Sequence, residues 1–311
     1  MKKKLCLAFV FLIAFKSFSQ DPVYKNAQQS LIALNPSFAG SNGFIRNQAV
    51  YRNQWPNLSG TYQTYYSALD GYIKPIRGGI SFSASHDDEA HGTLTTDVLS
   101  LAYAQHISFL EGKLKIIPSL QGSVGVVRLD LTKLNFGDQI DPRRGFVWYI
   151  QQATPASKKT YYDLSAGLLI NYKNFYFGTS VFHVNQPDEG LLGKSKLPYR
   201  LSIHSSYNLH FSEKTLLNFF ARYEQQQNFS YLHFNVSAVI FKHLILNAGY
   251  ASNDAFNFGF GYRNNFFVLA AGYDVTISKL SGNTAGSWEL HASFNLRNKE
   301  KRKVLTNFET W

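Results

Sequence analysis

The feature that most constrains this chain is a two-residue alternation of apolar and polar side chains, repeated in short segments from Tyr161 nearly to the C-terminus. Its clearest instance sets Phe256, Phe258, Phe260 and Tyr262 on one side, with Asn257, Gly259 and Gly261 between them. Successive side chains of a β-strand point to opposite faces, so this is a strand with one greasy face. Many such strands behind an export signal point to a transmembrane β-barrel, apolar toward lipid and polar toward its lumen.

The export signal occupies residues 1–19. Lys2, Lys3 and Lys4 precede an unbroken apolar run from Leu5 to Phe15, and Ser17 and Ser19 take the −3 and −1 positions ahead of Gln20. The run is too short to cross a bilayer as a helix, which needs roughly 20 residues. Cys6 lies within the run rather than after it, so a lipoprotein anchor is not expected.

Cleavage there would remove the one cysteine and the one methionine, leaving no thiol chemistry and no disulfide framework. Four lysines leave as well, so Lys+Arg falls from 31 to 27 against 20 acids, and the formal charge from +11 to +7. Five basic residues and one acid between Arg297 and Lys303 account for +4 of that. The remainder is nearly balanced, so a nucleic-acid partner is not expected. The aromatic share of 16% suits the girdles of a membrane barrel.

Period-2 segments recur along the chain. Ile116, Pro118, Leu120, Gly122, Val124 and Val126 oppose Ser119, Gln121 and Ser123; Tyr162, Leu164, Ala166, Leu168, Ile170 and Tyr172 oppose Asp163, Ser165 and Asn171. Leu232, Phe234, Val236, Ala238 and Ile240 oppose His233, Asn235 and Ser237, and Trp288, Leu290, Ala292, Phe294 and Leu296 oppose Glu289, His291, Ser293 and Asn295. With weaker segments the pattern predicts about fourteen strands, near 44–54, 61–70, 78–85, 96–107, 114–127, 160–172, 175–184, 199–210, 215–224, 229–241, 244–251, 255–263, 266–278 and 287–296. Tight links at Lys173-Asn174, Ser212–Lys214, Lys242-His243 and Asn264-Asn265 alternate with longer ones at Arg128–Lys159, Asn185–Pro198 and Leu280–Gly286. That asymmetry is the one expected between periplasmic turns and extracellular loops, and an even strand number then puts both termini in the periplasm. The segment Leu129–Thr160 is too long for an ordinary hairpin loop and is expected to cover the mouth or carry function.

Three blocks carry a family resemblance: Asn35-Pro36-Ser37-Phe38-Ala39-Gly40, then Tyr51-Arg52-Asn53-Gln54-Trp55-Pro56, then Leu134-Asn135-Phe136-Gly137-Asp138-Gln139-Ile140-Asp141. In this order and near these spacings they resemble the PorP/SprF family of type IX secretion system membrane proteins of Bacteroidota, and Ser100–Ile107 is similar to that family's pattern too. The resemblance spans essentially the whole mature chain. It implies an outer-membrane barrel of about fourteen strands that serves type IX secretion or retains secreted proteins at the cell surface, in some members gliding adhesins. The acidic stretch Ser85–Glu89 and the basic tail ending at Trp311 depart from the commoner pattern.

The resulting expectation is an all-β transmembrane antiparallel barrel with a signal peptide (1–19), an N-terminal periplasmic segment (20–43), the barrel (44–296) and a basic periplasmic tail (297–311). Its expected partners are a secreted type IX cargo or surface adhesin, core secretion components at the periplasmic rim, and outer-membrane lipid. A small-solute channel is the alternative. No cofactor is called for. His86, Asp87, Asp88, Glu89 and His91 could in principle ligate a metal, but they follow no known ligand spacing and are expected to form a hydrated loop at the rim. His204, His210, His233 and His291 fall at lumen-facing positions, yet no G-x-S-x-G elbow or fixed spacing supports hydrolysis. Asp138 and Asp141 with Arg143 and Arg144 are the candidates for partner binding, although they could equally brace the long loop. Arg52, beside Gln54, is expected to pair with a carboxylate of the wall.

Overall fold

The computed structural model describes residues 21–296 except 27–29, 59, 135–139, 142, 147–156, 192, 253, 279–280 and 283. Fourteen strands form an antiparallel up-and-down barrel: β1 (Ile45–Gln54), β2 (Tyr62–Ile73), β3 (Gly78–Glu89), β4 (Leu94–Gln105), β5 (Leu114–Leu129), β6 (Lys158–Tyr172), β7 (Phe175–Phe182), β8 (Arg200–Ser212), β9 (Thr215–Gln226), β10 (Phe229–Ile240), β11 (Leu244–Ala251), β12 (Ala255–Arg263), β13 (Phe267–Thr276) and β14 (Ser287–Leu296). Each strand pairs with its sequence neighbours, and β14 closes on β1 with Ile45 opposite Leu296 and Gln54 opposite Ser287. Closure leaves no unpaired sheet edge, which lipid would not tolerate. No helix among the described residues is long and apolar enough to cross a membrane.

The alternation sorts side chains as the sequence requires of a barrel in lipid. Leu101, Leu120, Tyr162, Leu164, Phe234, Phe258, Phe260 and Phe294 stand exposed on the outer wall. Ser119, Asp163, Ser165, His233, Asn235, Ser237, Asn257 and Glu289 are buried on the inner one. Outward aromatics also pair across strands, as Tyr273 does with Trp288 (ring centroids 4.6 Å apart) and Tyr51 with Tyr65 (5.0 Å).

Two expectations are corrected. β3 continues through Glu89, so His86–Glu89 is strand rather than rim loop, held by pairing to β2 (Thr64 opposite Asp87) and to β4 (Asp97 opposite His86). The second concerns residues 21–43. Expected in the periplasm ahead of the barrel, the described ones lie against the inner wall, Asp21 at His183 and Arg200 near the long-loop rim and Gly40 at Asp70 and Gly79 near the short-turn rim.

The lumen therefore has a core of its own. One helical turn, α1 (Leu31–Leu34), and a 3-10 turn at Pro36–Phe38 bring Leu31, Ile32, Leu34, Phe38 and Ala39 against Val50, Tyr66, Ile117, Leu169, Tyr176 and Phe220 of the wall. Ile117 and Leu169 occupy inner-face positions where a water-filled pore would carry polar groups; the plug is what buries them. Nearer the short-turn rim, Leu216, Val239, Ile245 and Val268 form a second buried cluster.

Candidate functional site

Three sets of wall contacts hold the N-terminal plug. At the short-turn end lies the first family block. Asn35 caps the 3-10 turn by accepting from the Ser37 N–H at 2.9 Å, and its amide donates to the carbonyls of Leu168 and Thr179 at 3.2 and 3.0 Å. Ser37 and Ser119 hydroxyls meet at 2.8 Å. The Gly40 N–H donates to Asp70 at 2.8 Å, and Asp70 also takes a two-point ion pair from Arg46. His106 bonds the Ala39 carbonyl at 2.9 Å. Gly79 lies against that carbonyl so closely that any Cβ there would overlap it. The Asn35–Gly40 block is thus a lock between plug and wall, a role invisible in the strand periodicity because the block belongs to no strand.

Toward the long-loop end of β1 stands the Tyr51–Pro56 block. Arg52 donates to Asp274 and Glu289 at 2.8 Å each, so the expected wall carboxylate is in fact two, from β13 and β14. Glu289 in turn accepts from the backbone N–H groups of Lys25 and Asn26 (3.0 and 3.1 Å), and from His291 at 2.6 Å. The Lys25 ammonium pairs with Asp254. Tyr51 faces outward against Tyr65, Gln54 is half-buried, and Trp55 turns the chain with φ +56° toward β2, where it meets Tyr62 edge to face.

Under the long-loop rim is a cavity of about 150 Å³. Five carboxylates line it, those of Asp21, Asp87, Glu89, Asp163 and Glu189, with His183 and Arg200 as the lining cations. His183 bridges Asp21 (2.8 Å) and Asp163 (3.1 Å), while Arg200 Nε lies 3.3 Å from Asp21. Burial opposes a charge on His183, but the Asp21 and Asp163 carboxylates override it and lift its pKa to about 9. Burial likewise works against ionised Asp21, yet His183 and Arg200 hold its pKa below the usual range. Glu189 moves the other way, to about 7, through burial and the nearby Asp21 charge. The loop between β7 and β8 closes over this level: Leu197 packs on Val127 and Tyr161, and Asp188 pairs with Lys159 at 2.9 Å.

The candidate partner site maps only in part. Phe136, Gly137 and Asp138 lie outside the described residues, as do the signal peptide and the basic tail. Ile140–Asp141 pairs with Gly145–Phe146 in a small separate hairpin whose turn carries Arg143 and Arg144, both exposed. The possible metal ligands do not converge, because alternation along β3 sends His86 and Asp88 outward but Asp87 and Glu89 inward. His86 instead meets Asp97 at 2.7 Å on the outer wall, where Arg128 pairs with the same carboxylate. His204, His233 and His291 are buried toward the lumen, whereas His210 is exposed near the β8–β9 turn. What residue patterns missed is the mouth cavity. Its signal was the acidic pair Asp87 and Glu89 at inner-face parity, but its other members come from distant segments.

Comparison with known proteins gives the same architecture. The Ralstonia pickettii toluene transporter TbuX is similar in structure, with a TM-score of 0.51 and 13% identity over 86% of this chain and 93% of that one. The CymD monoaromatic hydrocarbon channel (TM-score 0.46, 12% identity, 88% and 94% covered) and the Acinetobacter baumannii outer membrane protein Omp33 (0.44, 10%, 81% and 96%) are also similar. At such identities the likeness concerns the fold alone, and it rests on the first of these. No curated protein matches the chain by sequence. Residues 16–294 match the family described as type IX secretion system membrane protein PorP/SprF. With a closed outer-membrane barrel across that span and the Asn35–Gly40 block locking its plug, the chain belongs to the PorP/SprF family.

Proposed function

We propose that this protein is a non-enzymatic accessory of type IX secretion that supports export or surface anchoring of a secreted partner, with the long-loop rim as the contact face. The observation that carries this reading is the filled lumen. A barrel whose interior holds Asp21–Asn26 and Ser30–Gly40, tied to the wall by Asp70, Glu289 and Asp254, offers a partner its rims rather than a passage. TbuX is a toluene transporter, but a solute path through this barrel would need an open, lined pore. The small-solute reading is therefore not favoured.

On this reading the long loops face outward from the cell, and Asp141, Arg143 and Arg144, with Asp138, are contacts for the partner. Core secretion components would meet the short-turn rim, and an adhesin used in gliding is one form the cargo could take. The test is surface display in a strain lacking this protein and complemented with variants. Deletion should abolish display of the cognate secreted protein, and Asp138→Asn with Asp141→Asn should reduce it while leaving the barrel assembled. Unchanged display on deletion would refute the accessory role; unchanged display with both carboxylates neutralised would make the loop a structural brace.

A further inference from the structure

We propose that the cavity under the long-loop rim is a receptor for one basic side chain, a lysine ammonium or an arginine guanidinium, of the exported partner. This deepens the anchoring function and rests on it. The charges do not balance within the cavity. Five carboxylates face two cations, and both cations are already turned onto Asp21 and Asp163. Asp87 has the Thr64 hydroxyl at 2.5 Å, but among the described residues neither it nor Glu89 nor Glu189 forms an ion pair.

A second observation points the same way. Asp163 is 4% exposed, and while its Oδ2 meets His183, its Oδ1 has no hydrogen-bond partner. A buried carboxylate oxygen left unpaired is costly unless something donates to it. The missing complement is a multi-donor cation, since a lysine ammonium carries three N–H groups and an arginine guanidinium five. Size agrees with this: at about 30 Å³ per water, 150 Å³ holds about five waters or the end of one such side chain. A divalent metal fits less well, because no three of these acidic or histidine groups among the described residues converge as ligands would. Placement suits a partner arriving from the long-loop side, because Glu89 ends β3 and Glu189 belongs to the loop that roofs the cavity.

The experiment titrates the intact purified protein in detergent with n-butylammonium, using n-butanol as the uncharged probe of the same shape. Saturable binding of the ammonium alone is expected, weakened at least tenfold in Glu89→Gln/Glu189→Gln. Heat-modifiable gel mobility verifies that the double variant is still a barrel; if it is not, Glu189→Gln alone, in a loop, takes its place. The same variant should reduce surface display of the secreted partner. Equal response to butanol, no saturation with butylammonium, or undiminished binding in the variant would overturn the receptor. So would lost ammonium binding with normal display, which would leave the anchoring function standing. Normal display in the deletion strain would instead remove the anchoring function itself.

Discussion

Gly79 and Gly122 are both strand glycines, yet their surroundings differ completely. A Cβ at Gly79 would run into the backbone of Ala39 and Gly40, whereas one at Gly122 on the outer wall would meet nothing within 4 Å. Gly79→Ala should therefore push the plug off β3 at a cost of about 1–3 kcal/mol, the usual scale for overpacking. Gly122→Ala should stay within about 0.5 kcal/mol of the parent. Tryptic cleavage after Lys25, buried in the parent, is the readout: faster in the first variant with the barrel intact, unchanged in the second. Facing makes an equally local prediction. Phe258 stands midway along β12 and is 52% exposed on the outer wall, so Phe258→Arg should cost about 2–4 kcal/mol and lower the folded fraction on mild-detergent gels. If that variant assembled as well as the parent, the lipid-facing register of β12 would be off by one.

For the elements, the informative one is the loop that leaves β7. His183 begins it and joins three pieces: the plug through Asp21, strand β6 through Asp163, and, by charge, Glu189 farther along its own loop. Its folded pKa of about 9 lies above the ordinary 6.5, so protonation stabilises the folded state. That contribution is complete below about pH 6.5 and is lost as the pH rises through 9. The unfolding temperature of the parent should exceed that of His183→Gln at pH 6, and the gap should shrink above pH 9. A gap that widened with pH would reverse the assigned charge. Among the strands, most boundaries were readable to within a few residues because turn residues punctuate them. β3 was the exception. Its acidic end looks like loop by composition, yet two neighbouring strands supply backbone partners that local propensity cannot anticipate.

The whole molecule is a barrel with an interior core, and this sets its expected electrical behaviour. Plug and wall share buried apolar contacts, ion pairs toward the long-loop end and hydrogen bonds toward the short-turn end, so thermal fraying of one end alone would not empty the lumen. In planar bilayers the intact protein should show no steady ohmic conductance. Sustained open-channel current from unmodified protein would mean that residues 21–43 leave the lumen, and would restore the channel alternative. The sequence by itself determined the barrel, its strand number, the sidedness of its clearly alternating strands and which connections are long, all of which follow from a two-residue period and from loop length. Only the tertiary structure decided what fills the lumen and which charges meet there. Arg52 finds its partners at Asp274 and Glu289, and Lys25 at Asp254, more than 200 positions away in each case. Periodicity reports the face on which a side chain lies, but its neighbour across a lumen depends on closure of β14 on β1 and on the path of a segment that obeys no strand period at all.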